Sequence, residues 1–151
     1  MVRFVFAAVL LLVAPLANAD EPTSDLMAVE KVVFDYFHGQ GEASEERLLR
    51  AFATDKASMI GVVRNENGEE TLRAWKDMEK VVENWSANKN PPGTGRIGKI
   101  LDVNIVDGRI ATVMFKSSDR FYDALTLAKL NGQWKIIAKA FVLQYILVRS
   151  V

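Results

Sequence analysis

Residues 119–141 read DRFYDALTLAKLNGQWKIIAKAF, and the Asn131-Gly132 pair inside that run decides how the chain folds. Asn-Gly supplies the two positive-φ residues of a type I′ turn, whose right-handed twist matches that of its strands, so the run reads as one long antiparallel hairpin. A second hairpin precedes it, because Asp107-Gly108 separates the β-rich residues 100–106 from residues 109–116. A curved antiparallel sheet therefore occupies the C-terminal half of the chain, behind an N-terminal half that reads as helical.

The first helix is expected to be capped by Thr23, Ser24 or Asp25. It carries Leu26, Val29, Val33, Tyr36 and Phe37 at helical spacing and is stopped by Gly39 and Gly41. Ser44-Glu45-Glu46 signals a second, shorter helix, an N-cap followed by acids in the first turn, with Leu48, Leu49 and Phe52 as its apolar side. Residues 59–63 form a short β-rich run, and residues 65–68 make a turn. A third helix is predicted from about Glu70, because Leu72, Trp75, Met78, Val81, Val82 and Trp85 recur at intervals of three or four. Residues 88–95, with Pro91-Pro92 and two glycines, cannot continue it and must cross to the sheet.

With 151 residues, half of them hydrophobic and 25% charged, the chain is long enough for one core. Its first residues are expected to lie outside that core. Arg3 precedes an apolar run over residues 4–16, and Ala17-Asn18-Ala19 ends it as a small-x-small cleavage signal. The expected organisation is thus a signal peptide over residues 1–19 and a single domain over residues 20–151, in a periplasmic or secreted protein with no membrane attachment after cleavage. The absence of cysteine excludes thiolate nucleophiles, disulfides and cysteine metal sites. Without Arg3 the 19 basic residues become 18 against 19 acidic ones, and no long basic run remains. Nucleic acid is not an expected partner, since phosphate binding needs clustered positive charge.

Both faces of the last hairpin are largely apolar. With Leu130 opposite Gln133, one face carries Tyr122, Ala124, Thr126, Ile137, Lys139 and Phe141. The other carries Phe121, Asp123, Leu125, Leu127, Trp134, Ile136, Ala138 and Ala140. Helices can cover one side of such a sheet, and a second copy of the chain would cover the other, so a homodimer through the sheet face is expected.

Three N-terminal helices, a short strand before the third, and a sheet closing on Asn-Gly-Gln-Trp-Lys-Ile resemble the cone-shaped nuclear-transport-factor-2-like superfamily. The resemblance is to its branch named for putative lumazine binding. It rests on Tyr36-Phe37-His38-Gly39, on residues 48–57, on Phe121-Tyr122-Asp123-Ala124-Leu125-Thr126-Leu127-Ala128-Lys129 and on Trp134-Lys135-Ile136-Ile137-Ala138-Lys139, and it spans nearly all of residues 20–151. The fold it implies is α+β, with three helices packed on a curved antiparallel sheet around a cone-shaped cavity. Superfamily enzymes such as ketosteroid isomerase, polyketide cyclases and dehydratases make catalysis a question for the residues. Isomerase chemistry needs a carboxylate base before helix three and acidic donors for an enolate. Aligned through Phe52-Ala53 and Asp55, the base position falls near Gly61, which has no side chain, and, counted back from the closing hairpin, the acid position falls near Thr126, so only Tyr36 remains as a donor.

The remaining chemistry-bearing residues are few. His38 is the only histidine and reads as a residue at a helix C-terminus complementing the dipole, with no second histidine to complete a zinc set. Asp123 and Lys139 would make an acid and base pair, but the simple register puts them on opposite faces unless a bulge shifts one strand. Lys139 either reaches into the cavity to hold an anionic or carbonyl group or snorkels from the sheet edge. Trp75 and Trp85, ten positions apart, would share a face of helix three and serve either as core or as a platform for a flat ring. The expected function is binding of a small apolar or aromatic molecule, without a cofactor, metal or catalytic residue, by Tyr36, Trp75, Met78, Tyr122, Lys139 and Phe141. The alternatives are a lyase or isomerase of the ketosteroid isomerase or dehydratase type, or a dimeric protein-interaction module.

Overall fold

The computed structural model describes residues 22–118 and 120–144, so the expected signal peptide lies outside the described residues. Two helices lead, α1 (Pro22–Glu42) and α2 (Glu45–Ala51). A hairpin of β1 (Ser58–Arg64) and β2 (Glu70–Trp75) follows, then α3 (Met78–Ser86) and the meander β3 (Gly98–Val106), β4 (Ile110–Ser117), β5 (Phe121–Leu130) and β6 (Gln133–Leu143). All six strands join one curved sheet in the order β2-β1-β6-β5-β4-β3. Every pairing is antiparallel except that of β1 with β6, which is parallel and makes the sheet mixed. Both predicted I′ turns form: Asp107 and Gly108 have φ of 55° and 57°, Asn131 and Gly132 of 50° and 81°.

Two expectations about the helices need correction. Gly39 and Gly41 do not stop α1, which runs on to Glu42 and breaks at Ala43, where φ is 54°. The glycines are contact points instead. A Cβ on Gly39 would stand 3.0 Å from Arg47 and Leu48 of α2, and one on Gly41 would stand 2.9 Å from the carbonyl oxygen of Gly93. The third helix does not begin near Glu70. Residues 70–75 are β2, held to β1 through a turn in which Asn65 Oδ1 accepts from the backbone of Asn67 and Glu69. The helix starts at Met78 behind Asp77, whose side chain accepts from the Lys80 amide at 2.9 Å. Ser44 caps α2 as expected.

The last hairpin carries a β-bulge. Pairing runs Leu130↔Gln133 to Leu127↔Ile136, then resumes as Thr126↔Ala138, leaving Ile137 as the extra residue. Beyond it the faces of β6 exchange relative to β5. Asp123, Leu125, Lys139 and Phe141 therefore share the inner face with Trp134 and Ile136, while Tyr122, Ala124, Thr126, Ala138, Ala140 and Val142 share the outer one. Against the inner face pack Val29, Val33, Tyr36 and Phe37 of α1, Leu48 and Ala51 of α2, and Met78 and Val82 of α3, all buried. Among the described residues no helix covers the outer face, where Ile60, Leu72, Met114 and Val142 are exposed.

Candidate functional site

The inner face of the sheet ends in a polar cluster set among apolar residues. Tyr36 on α1, Asp123 on β5 and Lys139 on β6 are 2%, 1% and 4% exposed. The Tyr36 hydroxyl donates to Asp123 Oδ2 at 2.9 Å, and the Lys139 ammonium donates to Asp123 Oδ1. The bulge at Ile137 makes this pairing possible, because without it Lys139 would point through the sheet to the other side. Burial pushes the Lys139 ammonium below the usual lysine value; the Asp123 charge and hydrogen bond pull it back, and Arg96 adds to the downward push. Three rings surround the ammonium: Phe141 at 4.7 Å, Tyr36 at 5.1 Å and Phe121 at 5.8 Å from their centroids.

Lys139 also borders a pocket of about 270 Å³. α1 contributes Tyr36 and Gln40 to its lining, the β1–β2 hairpin Met59 and Trp75, α3 Val81, Asn84 and Trp85, and the β5–β6 hairpin Phe121, Lys139 and Phe141. Trp75 and Trp85 thus face one space from a strand and a helix rather than from one helix. Gly61 makes room for Phe141, since a Cβ there would lie 2.2 Å from the ring's Cζ. Near the position aligned with an isomerase base, the space over Gly61 is accordingly taken by an aromatic ring. A more polar hollow of about 410 Å³, with Asn88, Asn90, Pro92 and Arg120, shares Gln40, Trp85 and Phe121 with the pocket.

Of the six residues expected to bind a ligand, Tyr36, Trp75, Lys139 and Phe141 line this pocket. Met78 does not: it is fully buried in the core between α3 and its neighbours. Tyr122 is on the outer face, opposite the inward Asp123 and Leu125 of the same strand, in a shallow apolar concavity with Met114, Ala140 and Leu72. Sequence reasoning missed Met59, Phe121, Gln40 and Asn84 as lining, and it set Asp123 and Lys139 apart. A signal for Asp123 was present, since it is the one acid in the apolar run of β5. His38 lies within α1, stacked on Phe34 at 5.8 Å, and is not at a helix end. Among the described residues no group of three histidine, aspartate or glutamate side chains could hold a metal ion.

Solved structures place this arrangement in a known fold class. A protein of unknown function from Shewanella baltica with the nuclear-transport-factor-2-like fold superposes with a TM-score of 0.67 at 21% identity, over 82% of this chain and 97% of that one. One from Silicibacter pomeroyi gives 0.64 at 21% identity, over 81% and 98%. A ketosteroid isomerase-like protein from Erwinia carotovora atroseptica gives 0.62 at 14% identity, over 80% and 97%. The fold is nuclear-transport-factor-2-like. Residues 24–142 match the family described as "Putative lumazine-binding", and the chain belongs to that family. No curated protein matches it.

Proposed function

We propose that this protein binds a small, flat, mostly apolar molecule in the pocket between α1, α3 and the inner face of the sheet. The observation that carries this reading is the pocket itself, about 270 Å³ with six aromatic or aliphatic side chains, two amides, a phenol and a single amine in its lining. Flat ligands suit walls made of Trp75, Trp85, Phe121 and Phe141. The family description names lumazine, a flat bicyclic ring, in keeping with such walls. Titration with benzyl alcohol, followed by tryptophan fluorescence, tests it. A saturable change is expected in the native chain and not in a Val81→Trp variant, whose indole fills the space. Identical, non-saturating traces from both proteins would end the binding reading.

A lyase or isomerase reading draws on one observation, the hydrogen bond from Tyr36 to Asp123. It ranks second, because Gly61 offers no base and Asp123 is ion-paired to Lys139. We further propose that the protein is exported and that a second copy covers the outer sheet face. The sequence of residues 1–19 and the exposed Ile60, Leu72, Met114 and Val142 support this. Native mass spectrometry of protein recovered from a bacterial periplasm reads both features. The expected species is a dimer lacking residues 1–19, reduced to monomer by Met114→Glu; a monomeric native chain would favour an interaction module with a different partner.

A further inference from the structure

We propose that Lys139 captures a small apolar aldehyde as a reversible imine, which makes carbonyl compounds the ligand class of this site; the inference rests on reading the pocket as a binding site. Its warrant is the placement of three groups. The pocket has one amine in its lining, and that amine is enclosed by rings rather than water. It touches a buried carboxylate, and that carboxylate holds a phenol at 2.9 Å. An anionic ligand gains little here, because Asp123 already neutralises Lys139 in direct contact. A cationic ligand would meet the ammonium at the pocket wall. A neutral carbonyl has neither difficulty, and its carbon is the electrophile an amine requires.

The step balances within the residues present. Lys139 passes a proton to Asp123 across their hydrogen bond, converting a buried ion pair to a neutral amine and acid without change in net charge. The amine nitrogen attacks the carbonyl carbon, forming the C–N bond. The carbonyl π pair moves to oxygen, which takes a proton from nitrogen and gives a carbinolamine. The Asp123 acid returns its proton to the hydroxyl, water leaves with the C–O pair, and the nitrogen lone pair closes the C=N bond. A protonated imine then faces the Asp123 carboxylate, in the position the ammonium held. Tyr36 is a positioning residue, its hydroxyl fixing the carboxylate through Oδ2 while Oδ1 serves the nitrogen. Burial lowers the proton affinity of this amine below that of a lysine in water, which favours the transfer to Asp123 that frees the nucleophile.

Benzaldehyde and cyanoborohydride at neutral pH test the proposal with the chain as it exists. Reduction fixes the imine as a secondary amine, adding the probe's mass less one oxygen, and peptide mapping locates it. Single labelling at Lys139, ahead of exposed lysines such as Lys31 and Lys56, is the expected result. A Lys139→Met, Asp123→Leu double variant, which leaves no unpaired charge, is expected to lose that label. Label confined to the α-amino group and the exposed lysines overturns the proposal. Where benzyl alcohol still saturates the pocket but Lys139 stays unlabelled, the imine falls and the binding reading stands; where the alcohol also fails to bind, both fall.

Discussion

Lys139 and Asp123 form an ion pair at positions where the fold leaves them 4% and 1% exposed. Taking two ions out of water costs several kcal/mol apiece, so such a pair adds little net stability, while removal of one partner leaves the other stranded. Lys139→Met is expected to cost about 3–5 kcal/mol in a denaturant titration. Adding Asp123→Leu should recover most of that loss, as apolar replacements of buried pairs commonly do. A double variant as unstable as the single one would mean that the cost comes from packing around the lysine stem. Tyr36 belongs to the same unit, and its deletion to phenylalanine takes a charge-assisted hydrogen bond from Asp123.

At the level of elements, Asp25 ties the first turn of α1 to the last hairpin. Its Oδ1 receives the Trp134 indole N–H at 2.8 Å and lies 2.9 Å from the Lys129 ammonium. The hydrogen bond from Lys129, then that from Trp134, hold its carboxyl below the ordinary carboxylate value against the upward push of burial. A carboxyl depressed in the folded state contributes stability that is complete above its unfolded pKa and is lost as pH falls through its folded pKa. Asp25→Asn is therefore expected to be less stable than the native chain at neutral pH, with the gap closing in acid. Denaturant titrations at several pH values check this, and a gap unchanged down to the acid limb would remove the Asp25 charge from the account. The two I′ hairpins, the α2 cap and the apolar stripe of α1 were legible because each rests on a local residue preference. The β2 to α3 boundary was not, since Leu72, Trp75 and Met78 happen to continue a helical period; Asp77, the actual cap, was the competing signal. The bulge at Ile137 carries no glycine and no turn residue, so nothing local announces it. That one unreadable residue brought Lys139 and Phe141 to the inner face, away from Tyr122, and hid the ion pair.

For the molecule as a whole, one layer of helices covers one face of a six-stranded mixed sheet, and the pocket opens where α3 and the β1–β2 hairpin meet the end of the β5–β6 hairpin. The apolar interior and the apolar outer face were both legible from the two-sided hydrophobicity of the last strands. The pairing order was not, because β1 lies far in sequence from β6, its parallel neighbour. That pairing sets an expected order of folding. The meander of β3 to β6 needs only neighbouring strands and three short connections, two of them turns of favourable local conformation, whereas joining β1 to β6 closes a long loop whose entropy must be met first. Substitutions such as Leu125→Ala on β5 are expected to slow refolding, and Trp75→Phe on β2 to act mainly on the unfolding rate, in stopped-flow measurements. Equal effects on the refolding rate would mean that the hairpin docks early. Met59 and Trp75 belong to that hairpin, so on this expected order the pocket is completed at the closing stage of folding, and a molecule held in it would act as a latch on the last piece to dock.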